Sequence, residues 1–136
     1  MLIHNVIIAG GREFDDYELL KTSCDEIIAN INSPLIQIVE GEARGADLLG
    51  KKYAIEKSYQ VIEMPAKWTN KFGLYDKEAG LKRNIKMAHI GQTLIAFWDG
   101  ESTGTGHMIK VARKHGLTVR TIKYPKDGSL QNKRQK

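Results

Sequence analysis

Thr93-Leu94-Ile95-Ala96-Phe97-Trp98-Asp99-Gly100-Glu101-Ser102-Thr103-Gly104-Thr105-Gly106-His107-Met108 is the stretch on which the reading of this chain turns. Its first five residues are an apolar run short enough for a fully buried strand. At its far end, Met108-Ile109-Lys110-Val111-Ala112-Arg113 has helical spacing. The Gly/Ser/Thr segment between them reads as a loop. Strand, glycine-bearing loop and helix in that order present backbone N–H groups and hydroxyls to an anion at a helix N-terminus.

The same unit recurs on both sides. Val6-Ile7-Ile8-Ala9 is a β-branched run that ends at Gly10-Gly11. Asp15 or Asp16 can cap the helix that follows, where Leu20, Cys24, Ile27, Ile28 and Ile31 form one apolar stripe. Asn32-Ser33-Pro34 stops it. Leu35-Ile36-Gln37-Ile38-Val39 is the second strand, Gly41-Glu42-Ala43-Arg44-Gly45-Ala46-Asp47 the second glycine-bearing loop, and a helix runs on to about Ser58. Tyr59-Gln60-Val61-Ile62-Glu63-Met64 is a third strand, and a long connection over 65–79 holds Trp68, Phe72 and Tyr75. A helix over 79–90, the strand over 93–97, a helix to about His115 capped by Gly116, and a strand over 117–122 complete the body.

Strands alternating with helices mean βαβ units and right-handed crossovers. The fold class is therefore α/β: a Rossmann-like, three-layer α/β/α arrangement around a five-stranded parallel sheet. Two strand orders compete, 3-2-1-4-5 and the flavodoxin-like 2-1-3-4-5. Ligands of such sheets sit at the carboxyl ends of the strands, where strand order reverses. The first order would bring Gly10, Gly11 and Arg12 beside the 99–106 segment.

With 136 residues, 41% hydrophobic and 27% charged, the chain suits a globular domain over 1–124 followed by a basic tail over 125–136. In the tail, Lys126, Lys133, Arg134 and Lys136 against Asp127 carry three of the five net positive charges. That tail could touch nucleic acid or simply be solvated. No apolar run approaches a membrane span, and the first residues do not read as a signal peptide. A single cysteine, Cys24, forms no intrachain disulfide and sits on an apolar helical face. Together these point to a cytoplasmic protein with no membrane partner.

Several patterns carry little chemistry. Gly45-Ala46-Asp47-Leu48-Leu49-Gly50-Lys51-Lys52 matches part of a P-loop but lacks its Ser/Thr and has core-like leucines in the middle. His4, His89, His107 and His115 have no partner at metal-ligand spacing, so no metal is expected. Asp99, Ser102 and His107 crowd one loop without a nucleophile elbow.

The informative residues are those at the strand ends. Gly10 and Gly11 allow backbone to approach a ligand, and Arg12 can fork onto a phosphate. Arg44 and Gly45 sit in the second loop, where Glu42 or Asp47 could hold ribose hydroxyls. Trp68 or Trp98 could stack on a base. Arg83 and Asn84 lie where they could reach back to an anion. Each also has a structural reading: a tight turn, a helix-cap carboxylate, a core aromatic or a surface pair.

Gly11-Arg12 with Phe14, Gly41 to Asp47, Pro65-Ala66-Lys67-Trp68, Ala79 to Met87 and Phe97 to Thr105 together resemble the SLOG superfamily. This is the Rossmann-like group that joins the DNA-processing Smf proteins to the lonely-guy phosphoribohydrolases. The resemblance spans residues 3–123 and is nearest to the superfamily's small stand-alone members. It implies the order 3-2-1-4-5, a nucleotide-related ligand over the strand ends and a homodimer or higher homo-oligomer. The implied site comprises Gly11, Arg12, Gly41 to Asp47, Arg83, Asn84, and Gly100 to Thr105, Ser102 and Gly104 among them. In the phosphoribohydrolases a catalytic Glu stands three positions after the residue matching Thr105. Here that position is Met108. Glu42, Asp99 and Glu101 are the carboxylates that could substitute. The reading therefore leans toward binding a nucleotide or nucleotide derivative, by sensing or sequestration, with no further cofactor. The alternatives are N-glycosidic cleavage of a nucleoside monophosphate and single-stranded DNA binding.

Overall fold

The computed structural model describes residues 2–126. The basic tail expected over 125–136 lies, from residue 127 on, outside the described residues. The elements are β1 (Ile3–Gly10), α1 (Tyr17–Ala29), β2 (Leu35–Glu40), α2 (Ala46–Glu56), β3 (Gln60–Glu63), α3 (Ala79–Ile90), β4 (Thr93–Trp98), α4 (Thr103–Lys114) and β5 (Thr118–Lys123). The sheet is parallel throughout, in the order β3-β2-β1-β4-β5. This is the first of the two competing orders, and the flavodoxin-like one is excluded.

Side-chain alternation along β1 explains the layers. Val6 and Ile8 point to one face, into a core shared with Leu20, Cys24, Ile27 and Ile28 of α1 and with Ala46, Tyr53 and Ala54 of α2. Ile7 and Ala9 point to the other, with Met87 and Ala88 of α3 and Met108, Ile109 and Ala112 of α4. A strand buried on both faces needs an unbroken apolar run, which is what β1 and β4 supply. Each Val, Ile, Leu or Phe side chain of these runs contributes about 1.5–3 kcal/mol on leaving water.

Asp16 caps α1, accepting the Leu19 N–H at 3.1 Å. The Cys24 thiol is buried, and burial pushes its pKa up to about 12, so it packs as a small apolar group. Gly45 to Lys52 is no P-loop: from Ala46 onward it is α2, and Gly50 faces β1. A Cβ on Gly50 would stand 2.7 Å from Ile8 Cγ2, so this glycine lets α2 lie close to the sheet. Among the described residues no helix is long and apolar enough to cross a membrane.

One boundary differs in a way that matters. The segment expected as a loop up to Met108 turns helical at Thr103. Thr103, Gly104, Thr105 and Gly106 are weak helix formers, and packing decides their conformation. Thr105 is buried in that first turn.

Candidate functional site

The strand order reverses between β1 and β4, and the chain is tightly joined there. Gly11 N–H donates to Phe97 O at 3.1 Å, and Gly11 O accepts from the N–H groups of Phe14 and Ala46, both at 3.2 Å. Gly10 has no room for a side chain, since a Cβ would lie 2.4 Å from Phe97 O. Gly45 backs onto the same turn with φ 85° and ψ −129°. Its Cβ would come within 2.3 Å of Gly11 O. Two glycine loops thus lock back to back, and Arg12 projects from the joint as an exposed side chain. None of the ion pairs among the described residues involves Arg12.

In front of this joint lies a crevice of about 820 Å³. Gly10, Gly11 and Arg12 line it, as do Ser102, the N-cap of α4, and Gly104 and Thr105 in the first turn of that helix. Asp47, Arg83, Asn84, Met108, Trp68, Asp99 and Glu101 also line it. Nothing comes within 4 Å of the place a Gly104 Cβ would occupy, so backbone is open to a ligand there. The first-turn N–H groups of Thr103, Gly104 and Thr105 have no acceptor one helical turn earlier within α4. They carry the positive end of its dipole. An anion between Arg12 and α4 meets both a fork and a row of amides.

The preceding turn is built by its own carboxylate. Asp99 Oδ1 accepts from the N–H groups of Glu101 (2.9 Å) and Ser102 (2.8 Å) and from Ser102 Oγ (3.0 Å). These bonds, the Ser102 N–H first, hold the Asp99 carboxyl below the ordinary carboxylate range. The N–H groups of Glu101 and Ser102 are consequently used inside the protein, and the anion cradle is narrower than 100–106. Gly100, at φ 88°, makes the turn and does not line the crevice.

Five other residues singled out in the sequence, Trp98, Arg44, Gly41, Gly45 and Glu42, stand outside the crevice lining. Trp98 is a strut and no wall of the crevice: its Nε1 donates to Ser102 O at 3.0 Å and its ring lies under Gly106. Arg44 turns outward to pair with Glu13, both largely exposed, which is worth little. Gly41 and Gly45 act from outside the lining, where missing side chains make room. A Cβ on Gly41 would lie 2.1 Å from Arg83 Nη1 and 2.7 Å from Asp47 Oδ2. Glu42 also stands outside the crevice lining, and its carboxylate pairs with Lys51 at 2.9 Å.

Arg83 and Asn84 do line the crevice, yet both also brace it. Arg83 Nη1 donates to Gly41 O at 2.7 Å, and its Nε donates to Asn84 Oδ1 at 3.1 Å. Asn84, nearly buried, donates through Nδ2 to Gly104 O at 3.2 Å and lies 3.2 Å from His107 Nδ1. Asp47 is 4% exposed. Burial pushes its carboxyl up to about 6, against the pull of the nearby Arg83 guanidinium.

Sequence reasoning missed Tyr124, Lys77 and Lys126, which also line the crevice. Tyr124 directly follows β5, so the rule that pointed to the other strand ends would have found it. Its hydroxyl fills the space above Gly11, 2.0 Å from where a Cβ would be. Lys77 sits in the long connection, whose path no periodicity reveals.

A second cavity, about 880 Å³, opens at the other end of the sheet beside Asp25, Tyr53, Lys57 and Tyr59. There the polar groups already satisfy one another: Tyr53 Oη donates to Asp25 at 2.6 Å, and Lys57 pairs with the same oxygen at 3.0 Å. The crevice at the carboxyl ends, with Arg12 and the α4 amides open to it, is the better candidate.

Glu40, buried at the carboxyl end of β2, yields a stability prediction. Burial, then its hydrogen bond with Glu42, pushes its carboxyl up, while that bond and Lys51 hold Glu42 down. A carboxyl with a raised folded-state pKa costs stability as pH rises through and above the ordinary carboxylate range. Glu40→Gln keeps the shape without the charge. It is expected to raise stability at pH 8 by about 1–2 kcal/mol and to flatten the decline above pH 5, read from urea melts across that range.

Fold and crevice define a Rossmann-like α/β protein whose open site faces the carboxyl ends of β1 and β4. The chain belongs to the YspA, cpYpsA-related SLOG family, whose sequence profile matches residues 4–70. It is 30% identical over 122 residues to the Gene 61 protein of Mycobacterium phage D29, spanning 86% of this chain and 94% of that one. Its fold is similar to that of DNA processing protein A from Helicobacter pylori, a structure described for its single-stranded DNA binding mode. That similarity has a TM-score of 0.63 at 18% identity, over 97% of this chain and 73% of the other, and it speaks for the fold.

Proposed function

We propose that the crevice binds a nucleotide or nucleotide-derived small molecule, and that the protein holds this ligand and does not cleave it. The observation that carries the reading is the convergence of Arg12 with the open first turn of α4 at Gly104. A phosphate group suits that pair in charge and geometry. The volume, about 820 Å³, suits a ligand of nucleotide size. Trp68, on the crevice lining and stacked on Tyr75 at 6.0 Å, offers an aromatic face to a base. Met108, buried and on the crevice lining, supplies no carboxylate where the phosphoribohydrolases carry their catalytic Glu.

Calorimetry against nucleoside mono- and diphosphates and ADP-ribose tests the reading. One of these is expected to bind one-to-one, and Arg12→Ala to weaken it by about fivefold or more, over about 1 kcal/mol. Folded protein that binds none of them refutes it. Release of free base on chromatography would replace holding with N-glycosidic cleavage. A gel shift with single-stranded DNA that survives removal of residues 125–136, without small-ligand binding, would replace it with nucleic-acid binding.

A further inference from the structure

Three glutamates meet outside the crevice, at the carboxyl ends of β2 and β3. Glu40 and Glu63 are register partners on these neighbouring parallel strands, so their side chains leave the same face of the sheet. Glu42 brings a third carboxylate to the same place. One oxygen from each lies within 4.8 Å of the others. Glu40 is the buried member, with 0% exposure. Its Oε1 accepts the Glu42 N–H at 2.7 Å. Its Oε2 is buried and accepts no hydrogen bond among the described residues. Lys51, from α2, reaches Glu42 at 2.9 Å and Glu63 at 2.5 Å. One ammonium faces three carboxylates, and the shortfall in positive charge falls on Glu40, which water reaches least.

We propose that Glu40, Glu42 and Glu63 form a binding site for a hard divalent cation of Ca²⁺ or Mn²⁺ size. Its carriers are the mutual spacing of the three oxygens and the orphaned, fully buried oxygen of Glu40. An ion with metal–oxygen distances of about 2.3–2.6 Å holds two ligand oxygens about 3.3–3.7 Å apart when adjacent and up to about 4.6–5.2 Å when opposite, and the three oxygens, each within 4.8 Å of the others, fall inside that outer limit. An all-carboxylate ligand set suits hard cations over soft ones. Such an ion would neutralise the charge that Lys51 leaves unbalanced. It would also anchor Glu42, and with it the start of the loop behind Arg83. The rival occupant is a proton shared by Glu40 and Glu42. Proton and cation compete for the same carboxylate, so the two give different results.

The full chain is titrated with Mn²⁺ at pH 8, free Mn²⁺ being read by electron paramagnetic resonance and Ca²⁺ added as competitor. Wild type is expected to bind one Mn²⁺ that Ca²⁺ displaces. Glu40→Gln should weaken binding by about tenfold or more, because a charged ligand oxygen is lost. Lys51→Met should tighten it severalfold, since the ammonium no longer competes for Glu42 and Glu63. Glu63→Gln, at a half-exposed position, provides the same loss should Glu40→Gln fail to fold. Binding that is indifferent to both glutamine substitutions would assign the ion to surface carboxylates and overturn the proposal. So would the lack of one-to-one binding at millimolar Mn²⁺ in wild type and Lys51→Met, both folded by circular dichroism; the shared proton would then be the only occupant.

Discussion

Gly45→Ala is expected to cost the protein about 3 kcal/mol or more, and to lower its thermal midpoint by about 10 °C or more in a scanning experiment. Two physical terms add. Gly45 has φ 85° with ψ −129°, a region that residues with a Cβ scarcely enter. Even with the backbone held there, the new methyl would lie 2.3 Å from Gly11 O and 2.7 Å from the Arg12 carbonyl carbon. Those neighbours are backbone, so no side chain can swing aside. Relief requires the 10–12 turn to part from the N-terminus of α2, breaking the Ala46 N–H to Gly11 O hydrogen bond of 3.2 Å. Because Arg12 projects from that turn, ligand binding should fall with stability. A midpoint within about 2 °C of wild type would mean that the two loops are not locked as described.

Arg83→Ala is expected to destabilise by about 3–5 kcal/mol near neutral pH, and by visibly less in acid. The side chain removed donates to Gly41 O at 2.7 Å, and it is the leading charge that favours ionised Asp47. Asp47 is a carboxyl whose folded value, about 6, lies above its ordinary 3.8. The native state therefore holds that proton more tightly than the unfolded chain. Wild-type stability tied to this group is full below about pH 4 and falls as pH rises to 6, by about 3 kcal/mol at 1.4 kcal/mol per unit. Without Arg83 the folded value climbs further, so the decline continues above pH 6. The gap between variant and wild type in urea melts should widen from pH 5 to pH 8. Adding Asp47→Asn to Arg83→Ala should close that widening. An equal gap at both pH values would sever Arg83 from Asp47.

Much of the fold was legible because its signals are local. The runs at Val6-Ile7-Ile8-Ala9 and Thr93-Leu94-Ile95-Ala96-Phe97 are apolar without alternation because helices cover both faces of β1 and β4. The stripe of Leu20, Cys24, Ile27 and Ile28 marks α1 because one face alone meets the sheet. The carboxyl-end rule pointed to Gly10, Gly11, Arg12, Ser102, Gly104 and Thr105, and the structure brings all six to the lining of one crevice.

What stayed hidden depends on partners distant in sequence. Trp98 beside a glycine-rich turn reads equally as a base platform and as a brace; its hydrogen bond to Ser102 O decides for the brace. Arg83 reads as an anion contact until Gly41 O claims one of its nitrogens. The start of α4 at Thr103 was obscured because Gly and Thr favour helix weakly, and Asn84 reaching Gly104 O from α3 helps to hold that turn.

By itself, then, the sequence determined the alternation of strands and helices, the residues that could be buried, and the loops able to meet an anion. Those follow from hydrophobic period and backbone freedom, which act over a few residues. Only the tertiary structure decided which polar groups are already spent inside the protein and which remain open. Asp99 takes the amides of its own turn, Arg83 braces Gly41, and Arg12 and the first turn of α4 are left facing the crevice. Sheet register alone sets Glu40 beside Glu63, since two carboxylates 23 positions apart meet only when parallel strands align them. Burial and partnership are properties of neighbours in space, and they turn a list of capable residues into a site.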